Sequence, residues 1–206
     1  MRILVVGATG VIDRELVPRL VAAGHAVTGT SRSPAGVDAV RALGAHGRVL
    51  DVYVEATVGD VLGASDPEVL VCQVSDLPDS ADDLPDSADD LPARRAANAR
   101  IRREAIPRLL AAARAHGVGH LLVQSVAWPM TGEGAEAVAV MEEATLAAGG
   151  VVLRYGQFYG PGTFHARPPD GPAVAVGDAA ARTADLLLAP SSVVTITDAP
   201  TPAVAS

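Results

Sequence analysis

The apolar positions fall in short runs separated by glycine, proline and polar clusters. The first run, Ile3 to Val6, stops at Gly7, passes through Ala8-Thr9-Gly10 and opens into Val11-Ile12-Asp13-Arg14-Glu15-Leu16-Val17. This predicts a strand, a glycine turn and an amphipathic helix. Further strands are expected at His25 to Thr30, Arg48 to Val52, Glu68 to Val74, His120 to Ser125 and Gly150 to Arg154, with a last one at Val193 to Thr197. Helical patterns over 35–43, 55–62, 93–116, 134–148 and 178–188 alternate with them. That alternation predicts βαβ units and a doubly wound parallel α/β sheet, with ligands at the carboxyl ends of the strands.

Two interruptions stand out. Asp76-Leu-Pro-Asp-Ser-Ala-Asp82 is repeated letter for letter at 83–89, and seven aspartates without a cation between Asp76 and Asp90 predict a solvated acidic loop over 76–92. The oxygen-ligand spacing and turn glycine of a calcium loop are missing from it. In the 93–116 helix, Pro107 should introduce a kink. Arg94, Arg95, Arg100, Arg102, Arg103 and Arg108 form a basic face there, either solvated or holding the acidic loop.

Composition narrows the class. A chain of 206 residues suits one domain, divided here into 1–155 and a truncated, dependent segment 156–206. A net charge of -8 argues against a nucleic-acid or anionic-membrane surface. No apolar run approaches the ~20 residues of a membrane span, and no secretion signal is expected. Cys72 lies within an apolar run, which predicts a buried structural thiol and a reducing, cytoplasmic setting. All 16 positive side chains are arginine, so lysine chemistry is excluded by composition.

Glycines between a strand and a helix let backbone N–H groups and the positive helix end approach a phosphate. Gly7 and Gly10 occupy the first two places of such a motif, but the third holds Asp13. A carboxylate there gains from the helix dipole and adds like charge if it faces the phosphates.

GATGVIDREL at the start, LLVQS at the fifth strand and VVLRYGQFYGPGT after the sixth together resemble the extended or atypical short-chain dehydrogenase/reductase family, the NAD-dependent epimerase/dehydratase type. The likeness covers roughly 1–163. It implies a Rossmann-like doubly wound sheet with a short C-terminal appendage. It also implies that Gly7, Thr9, Gly10 and Ile12 line a dinucleotide pyrophosphate, that Arg32 sits at the adenosine ribose and favours NADP over NAD, and that Asp51 and Val52 contact adenine. The substrate would be a small molecule, held by a monomer with a shallow pocket or by a homodimer that completes it.

The family's acid is a tyrosine assisted by a lysine, beside a serine that orients substrate. Ser125 matches the serine. The lysine does not exist, and Tyr53, Tyr155 and Tyr159 all lie outside the helix that should carry the pair. If Met141-Glu142-Glu143 aligns with the later part of that helix, Gly134 and Val138 fall at the missing positions. Tyr159 or Tyr155 remains as an alternative acid, with Arg154 as a helping cation; the other reading is that both only pack the loop. Glu142 or Glu143 is either a general base or part of a solvated helix face. Trp128 and His165 are candidate pocket walls, against capping the core and plain exposure. His116 and His120 make no metal pair, because Gly117 and Gly119 break the helix between them. Three functions stay open: an NAD(P)-dependent epimerase, dehydratase or reductase with a non-standard acid, a cofactor-independent lyase, isomerase or cyclase, and a non-catalytic NADP-binding sensor.

Overall fold

The structure is a computed structural model that describes residues 1–75 and 90–198. The acidic repeat at 76–89 therefore lies outside the described residues. In chain order the elements are β1 (Arg2–Val6), α1 (Asp13–Ala22), β2 (Ala26–Ser31), α2 (Pro34–Ala42), β3 (His46–Val49), α3 (Glu55–Ser65), β4 (Val69–Cys72), α4 (Asp90–Arg100), α5 (Ile106–Ala115), β5 (His120–Val126), α6 (Gly132–Ala147), β6 (Val151–Tyr155), β7 (Gln157–Tyr159), β8 (Ala173–Ala175), α7 (Val176–Asp185) and β9 (Ser192–Ile196).

Seven strands form one parallel sheet in the order β3-β2-β1-β4-β5-β6-β9. Strand side chains alternate between faces, and both faces are covered. Ile3 and Val5 pack with Leu16, Val17 and Leu20 of α1 and Ala179 and Ala180 of α7. Leu4 and Val6 face the opposite way, onto Val58 and Leu62 of α3, Leu109 of α5 and Met141 of α6. Cys72 is buried in that second layer, in the middle of the sheet on β4. The chain leaves β1 toward β2 and β3, then returns to place β4 on the other side of β1. That reversal leaves a crevice at the carboxyl ends of β1 and β4, the usual ligand position in such sheets.

Residues beyond 155 complete this body. β9 extends the main sheet by pairing with β6, α7 packs along α1, and β7 and β8 form a separate two-stranded parallel ribbon. The third strand ends earlier than its apolar pattern suggests, because the Asp51 carboxylate accepts the Tyr53 N–H at 2.9 Å and turns the chain. Around Pro107 the helix adjusts by a π-helical turn, Ile101–Ala105, in which the Ile106 N–H bonds the Ile101 carbonyl. Pro107 then falls in the first turn of α5, the part of a helix that best tolerates a residue without an N–H. Among the described residues no helix is long and apolar enough to cross a membrane.

Candidate active site

The crevice divides into two lobes that share Gly10, Gln73 and Ser75. The outer lobe, about 610 Å3, lies over the β1–α1 turn and the end of β2. Gly7 has φ +87°, and a Cβ there would stand 3.2 Å from the Val74 backbone, so this turn requires glycine. The Gly7 N–H is steadied by Thr30 Oγ1 at 3.3 Å and the Ala8 N–H by the Thr30 carbonyl at 2.9 Å. Gly7, Thr9, Gly10, Arg32 and Val52 line this lobe, as does Arg94, a member of the basic face on α4. Asp51 does not line it; its carboxylate is spent on the Tyr53 turn. Tyr53 lines the lobe, with the Arg100 guanidinium 4.6 Å from its ring centroid.

These residues fit a dinucleotide. The turn is a cradle that a Cβ would obstruct, it opens at the positive end of α1, and two arginines line the same lobe. Asp13 is fully buried and belongs to the lining of the inner lobe, not the outer one.

The inner lobe, about 280 Å3, is walled by Ile12, Trp128, Phe158, Phe164 and His165, with Ser125, Tyr155, Gln73 and Asp13 at its base. The structure thus brings Ser125, Tyr155, Trp128 and His165 together. Tyr159 is not among the lining residues: its side chain hydrogen-bonds Asp198, whose carboxylate raises the phenol pKa. Tyr155 is 2% exposed, and burial pushes its pKa up. Its hydroxyl sits 2.6 Å from Thr183 Oγ1, and Thr183 donates to the Ala179 carbonyl at 2.7 Å. Tyr155 therefore donates to Thr183 and accepts from Gln73 Nε2 at 3.3 Å. Its proton points into the protein.

The proton of Ser125 is turned away as well. Ser125 Oγ donates to Glu142 Oε1 at 2.6 Å, and Arg154 clamps both oxygens of Glu142, with Nε at 2.9 Å from Oε1. Burial alone would raise the Glu142 pKa; hydrogen bonds from Arg154 and Ser125, with the charges of Arg154 and Arg102, hold it below the usual value. Glu142 is 8% exposed, so it belongs to the interior, whereas Glu143 faces solvent. A separate cavity of about 400 Å3, between Trp128, Met130 and Val138, reaches Glu142 and Arg154.

Sequence reasoning missed Gln73 and Arg94 as lining residues, and it left Glu142 between two readings. For Glu142 a signal existed. Met141 and Thr145 form the buried stripe of α6, and Glu142 lies beside Met141 on that stripe while Glu143 lies off it. Gln73, one residue past β4, carries no pattern of its own.

No family model matches the chain. It is 36% identical over 192 residues to a 3-diazoavenalumate denitrifying reductase from a Streptomyces species, an alignment covering 81% of this chain and 59% of that protein. The chain thus spans less than two thirds of that relative's length. Among solved structures it superposes on the Thermus thermophilus UDP-glucose 4-epimerase complex with NAD, at a TM-score of 0.75 and 20% identity, covering 96% of this chain and 78% of that one. The Thermotoga maritima UDP-glucose 4-epimerase with UDP-glucose gives 0.74 and 18%, covering 96% and 77%. The sheet order, the glycine turn and these superpositions agree: the chain has the Rossmann-like α/β fold of the NAD-dependent epimerases and dehydratases.

Proposed function

We propose that this protein is a nicotinamide-dinucleotide-dependent reductase acting on a small aromatic molecule. The observation that carries the reading is one continuous crevice: a phosphate cradle with two arginines at one end, an aromatic-walled lobe over Ser125 at the other. Gly7, Thr9 and Gly10 hold the diphosphate, while Val52 and Tyr53 border the adenine. Arg32 and Arg94, with Ser31 and Ser33 beside them, suit a 2′-phosphate and favour NADP over NAD.

A reduced nicotinamide supplies a hydride, which a ketone accepts only with a proton, whereas an arenediazonium accepts it and releases dinitrogen without one. The inner lobe suits the second case. Tyr155 and Ser125 both direct their protons inward to Thr183 and Glu142, and no lysine can recharge either. The Streptomyces relative, by its name, reduces such a diazo compound, and the same class of substrate is proposed for this chain.

A thermal-shift titration with NADPH, NADP, NADH and NAD tests the reading. NADPH at many times its dissociation constant should stabilise the protein by a few kcal/mol, and more than NADH does. No shift with any of the four overturns it. Substrate class is then tested by NADPH oxidation with an arenediazonium against an aryl ketone, each corrected for the uncatalysed reaction; turnover is expected with the diazonium alone.

A further inference from the structure

We infer that the inner lobe is a site for an aromatic cation, whose positive reacting group is seated by Asp13, Gln73 and Ser125. The inference deepens the reductase reading and rests on it for the identity of the reaction, though not for the binding itself.

Four buried polar side chains form the base of the lobe, and acceptors dominate what they offer to it. Ser125 has given its hydrogen to Glu142. Tyr155 has given its hydrogen to Thr183. Gln73 has turned its Nε2 toward Tyr155, and its Oε1, on a residue 4% exposed, has no hydrogen-bond partner. Asp13 adds a fully buried carboxylate, whose charge is felt by both Tyr155 and Cys72. Among the described residues no arginine lines the lobe, although the chain carries 16 of them.

A buried acceptor without a donor is costly, at about 1–3 kcal/mol for a neutral group. The Gln73 oxygen therefore favours an occupant that brings a donor or positive charge, and the charge of Asp13 adds negative potential to the same end of the lobe. A ketone brings neither donor nor charge, and at the base of the lobe its developing alkoxide would meet the lone pairs of Ser125, Tyr155 and Gln73. An aromatic cation fits on both counts: Trp128, Phe158 and Phe164 supply ring faces, and the base supplies negative potential. The same arrangement explains why α1 carries a carboxylate where a glycine is usual. Asp13 lies at the first turn of the helix, where the dipole favours a negative charge, and it lines the inner lobe with its carboxylate beside Gly10, the glycine that both lobes share.

The probe is phenyltrimethylammonium, paired with its neutral isostere tert-butylbenzene, titrated calorimetrically into the protein saturated with NADPH and into the protein alone. We expect the cation to bind at least tenfold more tightly in both samples. Asp13→Asn should cut that preference to less than threefold, and Gln73→Met should reduce it by a smaller factor. Equal binding of the two probes overturns the inference, as does a preference that survives both substitutions. A preference seen only without dinucleotide also overturns it, because the acceptors would then serve the nicotinamide. If Asp13→Asn does not fold, the Gln73→Met pair decides. If no dinucleotide shifts the melting temperature while the cation preference persists, the inference stands and the reductase reading falls.

Discussion

The outer and inner lobes of the crevice are built on opposite rules. In the outer lobe the backbone does the recognition: Gly7 removes a Cβ, α1 aims its positive end, and Arg32 and Arg94 add cations, so what is offered to a ligand is positive or a donor. In the inner lobe side chains do the recognition, and the groups buried at its base are acceptors. One crevice therefore carries a gradient of sign along its length. A ligand that is anionic at one end and meets a cation at the other matches both halves.

Disrupting the support behind the inner lobe should have the largest effect. Glu142→Ala leaves Arg154 and the buried Arg102 without their carboxylate, and we expect a loss of about 3 kcal/mol in urea unfolding. Glu142→Gln should cost less and change the pH dependence. The folded-state pKa of Glu142 is held below its usual 4.5, so its contribution is complete above that value and is lost as pH falls through the lowered one. The wild-type protein should then lose stability below about pH 4.5 more steeply than Glu142→Gln does.

Breaking the outer lobe comes next. Gly7→Val forces a β-branched residue to φ +87° and crowds the Val74 backbone, which should cost about 2 kcal/mol and abolish the NADPH-dependent thermal shift. Tyr155→Phe strands the Gln73 amide and should cost about 1.5 kcal/mol. The same variant should retain its NADPH shift and its turnover, since the phenol proton is committed to Thr183; a dead but folded variant would restore Tyr155 as the acid. The smallest change sharpens the contrast. Replacing Arg32 and Arg94 together by alanine should weaken NADPH about tenfold, about 1.4 kcal/mol, with NADH affinity unchanged.

How much of this was legible in the chain follows the same division. The strand, turn and helix at 1–22 could be read because glycine spacing and apolar alternation are local, and local geometry fixes the outer lobe. Arg32 is two residues past Thr30 on β2, so the parallel sheet places it at the crevice without further help. The inner lobe and its support join residues 13, 73, 125, 142, 154, 155 and 183, drawn from α1, α6, α7, β5, β6 and the turn after β4. No local pattern announces that set, because each member is an ordinary polar residue until the tertiary fold decides where its hydrogen goes. Arg154 shows the limit well. The sequence suggested it as a cation for a tyrosine, yet the pairing of β6 with β5 sets it beside Ser125 and thus against Glu142.

The single cysteine offers a different use of the same architecture. Cys72 lies on β4, hydrogen-bonded on both sides by β1 and β5, and burial pushes its thiol pKa up to about 12. Its side chain lies in the layer that α3, α5 and α6 pack over the sheet, so a thiol reagent reaches the sulfur only when that packing opens, and the labelling rate clocks the opening equilibrium. Each variant above could be ranked that way in its native buffer, one covalent event per molecule, without denaturant or an engineered tag.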